Sequence, residues 1–197
     1  MKKIIIATKN KGKVKEFRSF FAPYDIEVVS LLDLDEEVPD IEETGDSFVE
    51  NAAIKAEQIS NLFQQPVLAD DSGLVIDSLD GRPGIYSARY AGEPTDDQAN
   101  MDKVLKEMQD IPEEERGARF VCVLAIAHPG EEPMFVTGYC EGRIQTEQSG
   151  ENGFGYDPIF VPAGYKKTMA ELDPIEKNQI SHRKKAMKQL ENKIHLL

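Results

Sequence analysis

A chain of 197 residues is long enough to bury a core without disulfides and short enough for a single domain spanning 1–197. Its 40% hydrophobic and 30% charged residues are ordinary for a globular protein and exclude a disordered chain. A formal net charge of −13 argues against a general nucleic-acid binder, which needs a basic surface to displace counterions, so the few basic clusters point to a small anionic ligand.

Residues 3–7 (KIIIA) read as a short buried strand, and their apolar run is too short for a secretory leader or a membrane span, which predicts a cytoplasmic protein. A polar loop follows, then Val14, Phe17, Phe20 and Phe21 at helical spacing. In that loop the strand delivers Thr8, Lys9 and Asn10, Lys11 adds charge, Gly12 lets the backbone approach a ligand, and Lys13 stands at the helix start. Helix N-termini attract phosphate through free N–H groups and the macrodipole. The Walker pattern GxxxxGK[ST] is absent, however, and a solvated lysine-rich turn explains the loop equally well in isolation.

A second strand near 26–29 leads into an acidic loop ending IEETG, with Glu42 and Glu43. Ser47 and Glu50 have capping-box spacing, and Phe48, Ala52, Ala56, Ile59 and Phe63 form the apolar stripe of a long helix. Asn51 and Lys55, four apart, share a face beside that stripe; Lys55 either touches phosphate or is an ion-paired lysine. The run PVLADDSGLVID reads as a strand that breaks at Asp70, Asp71 and Gly73. Neighbouring aspartates at a strand end point to opposite sides, so one faces a ligand and the other supports the fold; we expect Asp71 to be the former. Hard divalent cations want such carboxylates together with substrate phosphates, although DDSG alone also fits a polar turn.

The segment LDGRPGIYSARYAGEP is a Gly/Pro-punctuated loop, after which Thr95 and Gln98 are spaced to cap a helix carrying Ala99, Val104, Leu105 and Met108, ended by Pro112. Residues 118–127 are apolar on both faces, as a central strand is, with 134–144 as partner across HPGEE; Cys122 and Cys140 lie in these runs as buried, reduced thiols. In GENGFGYDPIFVP the glycines around Phe154 and Tyr156 suit an exposed aromatic face that stacks a nucleobase, with Tyr156 as core anchor the alternative. Thr168 with Glu171 and Asp173 with Glu176 look like successive caps before a last helix using Ala186, Met187, Leu190 and Ile194. Donors gather at Lys177, Ser181, His182 and Arg183, at a helix start suited to a carbonyl or phosphate oxygen, or simply as a capped basic turn. The order of elements predicts an α/β sandwich with a mixed sheet, the last elements forming a lobe and the ligand lying in a cleft beside it.

The segments ATKNKGK, EETGDSFVENAAIKA, LADDSGLVID, GRPGIYSARYAG, GFGYDPIF and KNQISHRKKA together resemble the inosine triphosphate pyrophosphatases, in that family's order and spacing over nearly the whole chain. The resemblance implies an elongated, two-lobed α/β fold, a homodimer, Mg²⁺ dependence, and hydrolysis of inosine, deoxyinosine or xanthosine triphosphate between the α and β phosphates. Carried over by position, Thr8 to Lys13 resemble the phosphate-binding loop, Glu42 and Asp71 the metal-linked carboxylates, Asp71 also the general base, and Ser72 a substrate contact. Phe154, Gly155, Tyr156 and Asp157 match the nucleobase loop, and Lys177, His182 and Arg183 the remaining substrate contacts. Many relatives carry a small residue where this chain has Lys9. Two rivals are a nucleotide-binding regulatory module without turnover and a phosphatase that removes a single phosphate.

Overall fold

The computed structural model of the chain describes residues 2–34 and 38–196. Strands β1 (Lys2–Ile6), β2 (Ile26–Ser30), β3 (Val67–Ile76), β4 (Gly117–Ala127), β5 (Met134–Ile144) and β6 (Phe160–Pro162) hydrogen-bond in the order β2-β1-β3-β4-β5-β6. β1 runs parallel to β2 and to β3, whereas β5 and β6 are antiparallel, so the sheet is mixed and the α/β class is as expected. The helices are α1 (Lys11–Phe21), α2 (Phe48–Phe63), α3 (Asp97–Glu107), α4 (Pro174–Ile180) and α5 (His182–Glu191).

The chain divides into two compact units, the first made of Met1–Asp71, Val123–Thr137 and Ala186–Leu197. In it α1 buries Val14, Phe17 and Phe21, the spacing that marked it as a helix, and α2 buries Ala52, Ala56 and Ile59. The Ser47 hydroxyl caps α2 by accepting from the Glu50 N–H at 3.1 Å. Glu50 answers by accepting from the N–H of Asp46 at 2.6 Å, one residue before the donor that a reciprocal capping box uses.

The second unit comprises Ser72–Cys122 and Gly138–Lys185. Leu74, Ile76, Met101, Val104, Met108, Phe120, Cys140, Ile144, Tyr156 and Phe160 are among the residues of its core. The Arg116 guanidinium is buried there and donates to the carbonyls of Met108 at 2.7 Å, Ile144 at 2.8 Å, Gln145 at 3.1 Å and Ile111 at 3.2 Å, tying the chain after α3 to the end of β5. Burial of an arginine is tolerated when its donors are used in this way.

Three expectations need correction. The first concerns β3, which does not break at Asp70, Asp71 and Gly73 but runs unbroken from Val67 to Ile76; lysines from α1 and α2 take up the carboxylates, so these charges do not interrupt the ladder. The second is the cap of α3, which is Asp96 rather than Thr95: its carboxylate accepts from the Ala99 N–H at 3.0 Å, and aspartate is the better capping residue. The third is the last helix, which ends at Glu191, with Ile194 in a separate 3-10 turn over Ile194–Leu196. By contrast, Thr168 and Glu171 form both halves of their capping box, around a 3-10 turn. Cys122 and Cys140 are both buried thiols.

Candidate active site

In the first unit, the loop after β1 is shaped by its own side chains. Thr8 Oγ1 accepts from the Asn10 N–H at 3.1 Å, and Asn10 Oδ1 caps α1 by accepting from the Lys13 N–H at 3.1 Å. Lys9 and Lys11 are exposed, Lys9 lying 3.0 Å from Asp40. Lys13 is half-buried, and its ammonium donates to Asp70 Oδ2 at 2.6 Å. The loop therefore presents α1's start next to one of the two β3 aspartates.

Lys55, one turn beyond Asn51 on α2, completes the cluster. Its ammonium donates to Glu43 Oε1 at 2.6 Å and to the Asp70 carbonyl at 2.7 Å, and lies 3.9 Å from Asp71 Oδ1. Burial pulls the Lys55 ammonium towards neutrality, but the Asp70, Asp71 and Glu43 carboxylates outweigh it and hold its pKa above the ordinary lysine value. The Asp71 carboxyl is pushed up to about 6, first by burial, with Lys55 opposing, and further by the negative charges of Glu43 and Asp70. Asp70, with its side chain 2% exposed, is sealed against Lys13; Asp71, at 10%, is the more open of the pair. Ser72 follows in β3, half-buried.

Of the two loop glutamates, Glu42 is exposed while Glu43 is the one held beside Lys55 and Asp71. The reason lies in Gly45 and Asn51. Asn51 is fully buried and its Oδ1 accepts from the Gly45 N–H at 2.8 Å, drawing the EETG segment onto α2. Any side chain at residue 45 would place its Cβ 2.6 Å from Glu50 Cβ. Carboxylate oxygens such as those of Asp71 and Glu43 are hard donors, of the kind that hard divalent cations take. Among the described residues no three His, Cys, Asp or Glu side chains converge as a metal-binding group.

The second unit carries the GFGYDP loop. Asp157 Oδ2 accepts from the Phe154 N–H at 3.0 Å and from Lys177 Nζ at 2.5 Å, and the same ammonium lies 4.9 Å from the centre of the Phe154 ring. Gly153 makes this possible: its φ is +81°, and a Cβ there would sit 2.0 Å from Asp157 Oδ2. Phe154 is 63% exposed, whereas Tyr156 is buried with its hydroxyl donating to the Ser87 carbonyl at 2.6 Å, the core anchor that was the alternative for an aromatic here. The Gly155 N–H donates to Asp97 Oδ2 at 2.8 Å, a contact sequence reading missed because residues 58 apart carry no shared periodicity. At the start of α5, Ser181 Oγ accepts from the Lys184 N–H at 3.2 Å, the His182 ring stacks on Phe120 at 5.1 Å, and Arg183 is buried.

Thus the structure brings Lys13, Glu43, Lys55, Asp70 and Asp71 into one cluster, with Thr8 and Asn10 shaping the loop that carries Lys13 and with Lys9 and Lys11 exposed outside it, and brings Phe154, Asp157 and Lys177 into another. Residues 4–193 match the Ham1 family model. The chain is 70% identical over 197 residues to the dITP/XTP pyrophosphatase of Oceanobacillus iheyensis, covering 100% of both chains, and 55% identical over 196 residues to that of Bacillus cereus, covering 98% of this chain and 95% of the other. Among solved structures, the Staphylococcus aureus Ham1 protein is 43% identical with a TM-score of 0.91 over 98% of each chain. A HAM1 protein from Coxiella burnetii is 41% identical with a TM-score of 0.93 over 100% of each. The chain belongs to the Ham1 family.

Proposed function

We propose that this chain hydrolyses inosine, deoxyinosine and xanthosine triphosphates to the monophosphate and pyrophosphate, removing them from the nucleotide pool. The observation that carries this is the carboxylate pair on β3, framed by Lys13 and Lys55 beside the phosphate-directed loop, with Asp71 tuned to about 6. A carboxylate so poised is a general base at neutral pH, whereas a module that merely binds a polyanion gains nothing from clustered acids. The activity borne in the names of the 70% and 55% identical relatives supports the same reading.

Asp71 takes a proton from the water that attacks phosphorus. Lys13 spends one of its three N–H donors on Asp70 and has two left for phosphate oxygens, aided by the start of α1. Lys55 holds Asp71 and Glu43 in place and is within reach of phosphate. Mg²⁺, when bound, neutralises charge on the phosphates and orients them; Asp71 with Glu42 or its neighbour Glu43 would hold it. On the second unit, Phe154 offers a stacking face, the backbone from Gly155 to Asp157 lines the base, and Lys177, His182 and Arg183 supply donors for a 6-carbonyl edge. Ser72 is a further substrate contact. We also assign a homodimer, one functional domain spanning 1–197, and a cytoplasmic location; among the described residues no helix is long and apolar enough to cross a membrane.

The test is product analysis after incubation with inosine triphosphate and Mg²⁺. Inosine monophosphate with pyrophosphate supports the proposal, the diphosphate with phosphate favours a phosphatase, and binding without turnover favours a regulatory module.

A further inference from the structure

The loop that carries Phe154 is built from residues that do not fix themselves. Gly153 and Gly155 both adopt positive φ, +81° and +61°, and glycine gives up more freedom than other residues when it is held. The base of the loop is anchored, since the Asn152 N–H donates to the Ala170 carbonyl at 3.0 Å and its Nδ2 to the Leu172 carbonyl at 3.3 Å. At the tip, Phe154 N–H bonds back to Asp157 within the loop, while Gly155 N–H reaches across to Asp97 Oδ2 at 2.8 Å.

We propose that Asp97 is a positioning residue for nucleotide recognition: by accepting the Gly155 N–H it holds the loop tip in one conformation, so that Phe154 meets a purine already oriented. This rests on the reading of residues 154–157 as base contacts. Asp97 suits the role because it sits on a firm element. It is the first residue of α3, whose start is closed by the Asp96 cap and whose Met101 and Val104 are core residues. A carboxylate accepting a backbone N–H makes a charge-assisted bond, and here it links a rigid helix to a glycine tip bearing a 63% exposed ring. Without the bond, substrate binding has to order the tip, which weakens binding and leaves the chemical step alone.

The test compares Asp97→Ala, Asp97→Asn and Asp96→Ala in steady-state turnover of inosine triphosphate with Mg²⁺, together with amide hydrogen exchange at Gly155 in the ligand-free protein. Asp97→Ala should raise KM by about ten-fold with kcat unchanged, the loss expected for one hydrogen bond to a charged group, and should speed exchange at Gly155. Asp97→Asn, whose Oδ1 also accepts, should recover most of both. Asp96→Ala removes the cap that steadies the start of α3 but keeps the Asp97 carboxylate, so it should lower Tm and raise KM far less than Asp97→Ala does. Unchanged Gly155 exchange in Asp97→Ala overturns the proposal, as does faster exchange without a rise in KM, or an equal rise in KM from Asp96→Ala. A wild type that releases no pyrophosphate overturns the proposed function instead, and the exchange data then decide the Asp97 contact alone.

Discussion

Carboxylates are put to opposite uses in the two units. In the first, Asp70, Asp71 and Glu43 are crowded around lysine ammonium groups, and burial, reinforced by the repulsion of Glu43 and Asp70, leaves Asp71 poised to exchange a proton. In the second, Asp157 and Asp97 accept backbone N–H groups and act as clasps on a glycine-rich loop. The proposed chemistry demands charges that are hard to keep together, and these stand on β3, with lysines from α1 and α2 and a glutamate drawn onto α2 from the preceding loop. The proposed recognition demands an exposed ring and bare backbone, and these stand on a loop whose freedom is withdrawn by hydrogen bonds.

The sharpest way to break this contrast is Asp71→Asn, which keeps shape and removes the base. Turnover should fall by about 10² to 10⁴-fold with the fold intact. Near wild-type rates in the purified variant would move the chemistry away from Asp71, and Asp70→Asn assayed alongside tells whether its neighbour, now seen bonded to Lys13, carries it instead.

A second test uses stability. Folding raises the Asp71 carboxyl from 3.8 to about 6, so between those values the folded protein holds a proton that the unfolded chain has released. The stability this proton confers is fully present below 3.8 and is lost as pH rises through 6; at pH 8 the ionised, buried carboxylate costs on the order of 3 kcal/mol. Asp71→Asn should therefore melt higher than wild type at pH 8 in chelator-treated protein, and the difference should shrink as pH falls towards 4. Equal melting temperatures at pH 8 would show that Lys55 offsets the burial in full. In the wild type, kcat/KM should rise with pH through an acid limb as Asp71 ionises.

Lys13→Ala probes the phosphate side. Losing a charge-assisted contact costs roughly 1.5 to 3 kcal/mol, and affinity for a triphosphate should suffer far more than affinity for the monophosphate. Equal losses in calorimetric titrations would place Lys13 away from the β and γ groups. The smallest effect is expected at Lys177→Ala, which removes the partner of Asp157 and with it the donor proposed for the base edge. It should narrow the preference for inosine over adenosine triphosphate by about ten-fold, because hypoxanthine offers a 6-carbonyl acceptor where adenine offers an amino donor. If both substrates slow equally, Lys177 serves the loop and not the base.

Much of this was legible from local pattern. Val14, Phe17 and Phe21 announced α1, the stripe from Ala52 to Ile59 announced α2, and residues 134–144 were a strand with the observed bounds. Legibility failed where a distant partner overrides local preference. Aspartates in β3 looked like a break because aspartate is depleted in strands, and distant partners such as Lys13 and Lys55, 57 and 15 residues from Asp70, help make them tolerable. Both glutamates of the EETG segment were visible as acids, but the choice of Glu43 as the neighbour of Asp71 depends on the Gly45–Asn51 hydrogen bond. Tyr156 and Phe154 look alike between their glycines; a carbonyl at Ser87 separates them, drawing one inward and leaving the other in solvent.

The two cysteines give the molecule a pair of internal clocks. Cys122 on β4 is 0% exposed and Cys140 on β5 is 3% exposed, and burial pushes the Cys140 thiol up, away from its reactive form. A thiol reagent added to the native protein can therefore attack only those molecules in which a strand has come away from its neighbours. Labelling of a Cys122→Ala chain times the opening of β5, and labelling of a Cys140→Ala chain times that of β4. The ratio of the two rates reports which of these two neighbouring strands opens first, with no foreign label placed anywhere in the chain.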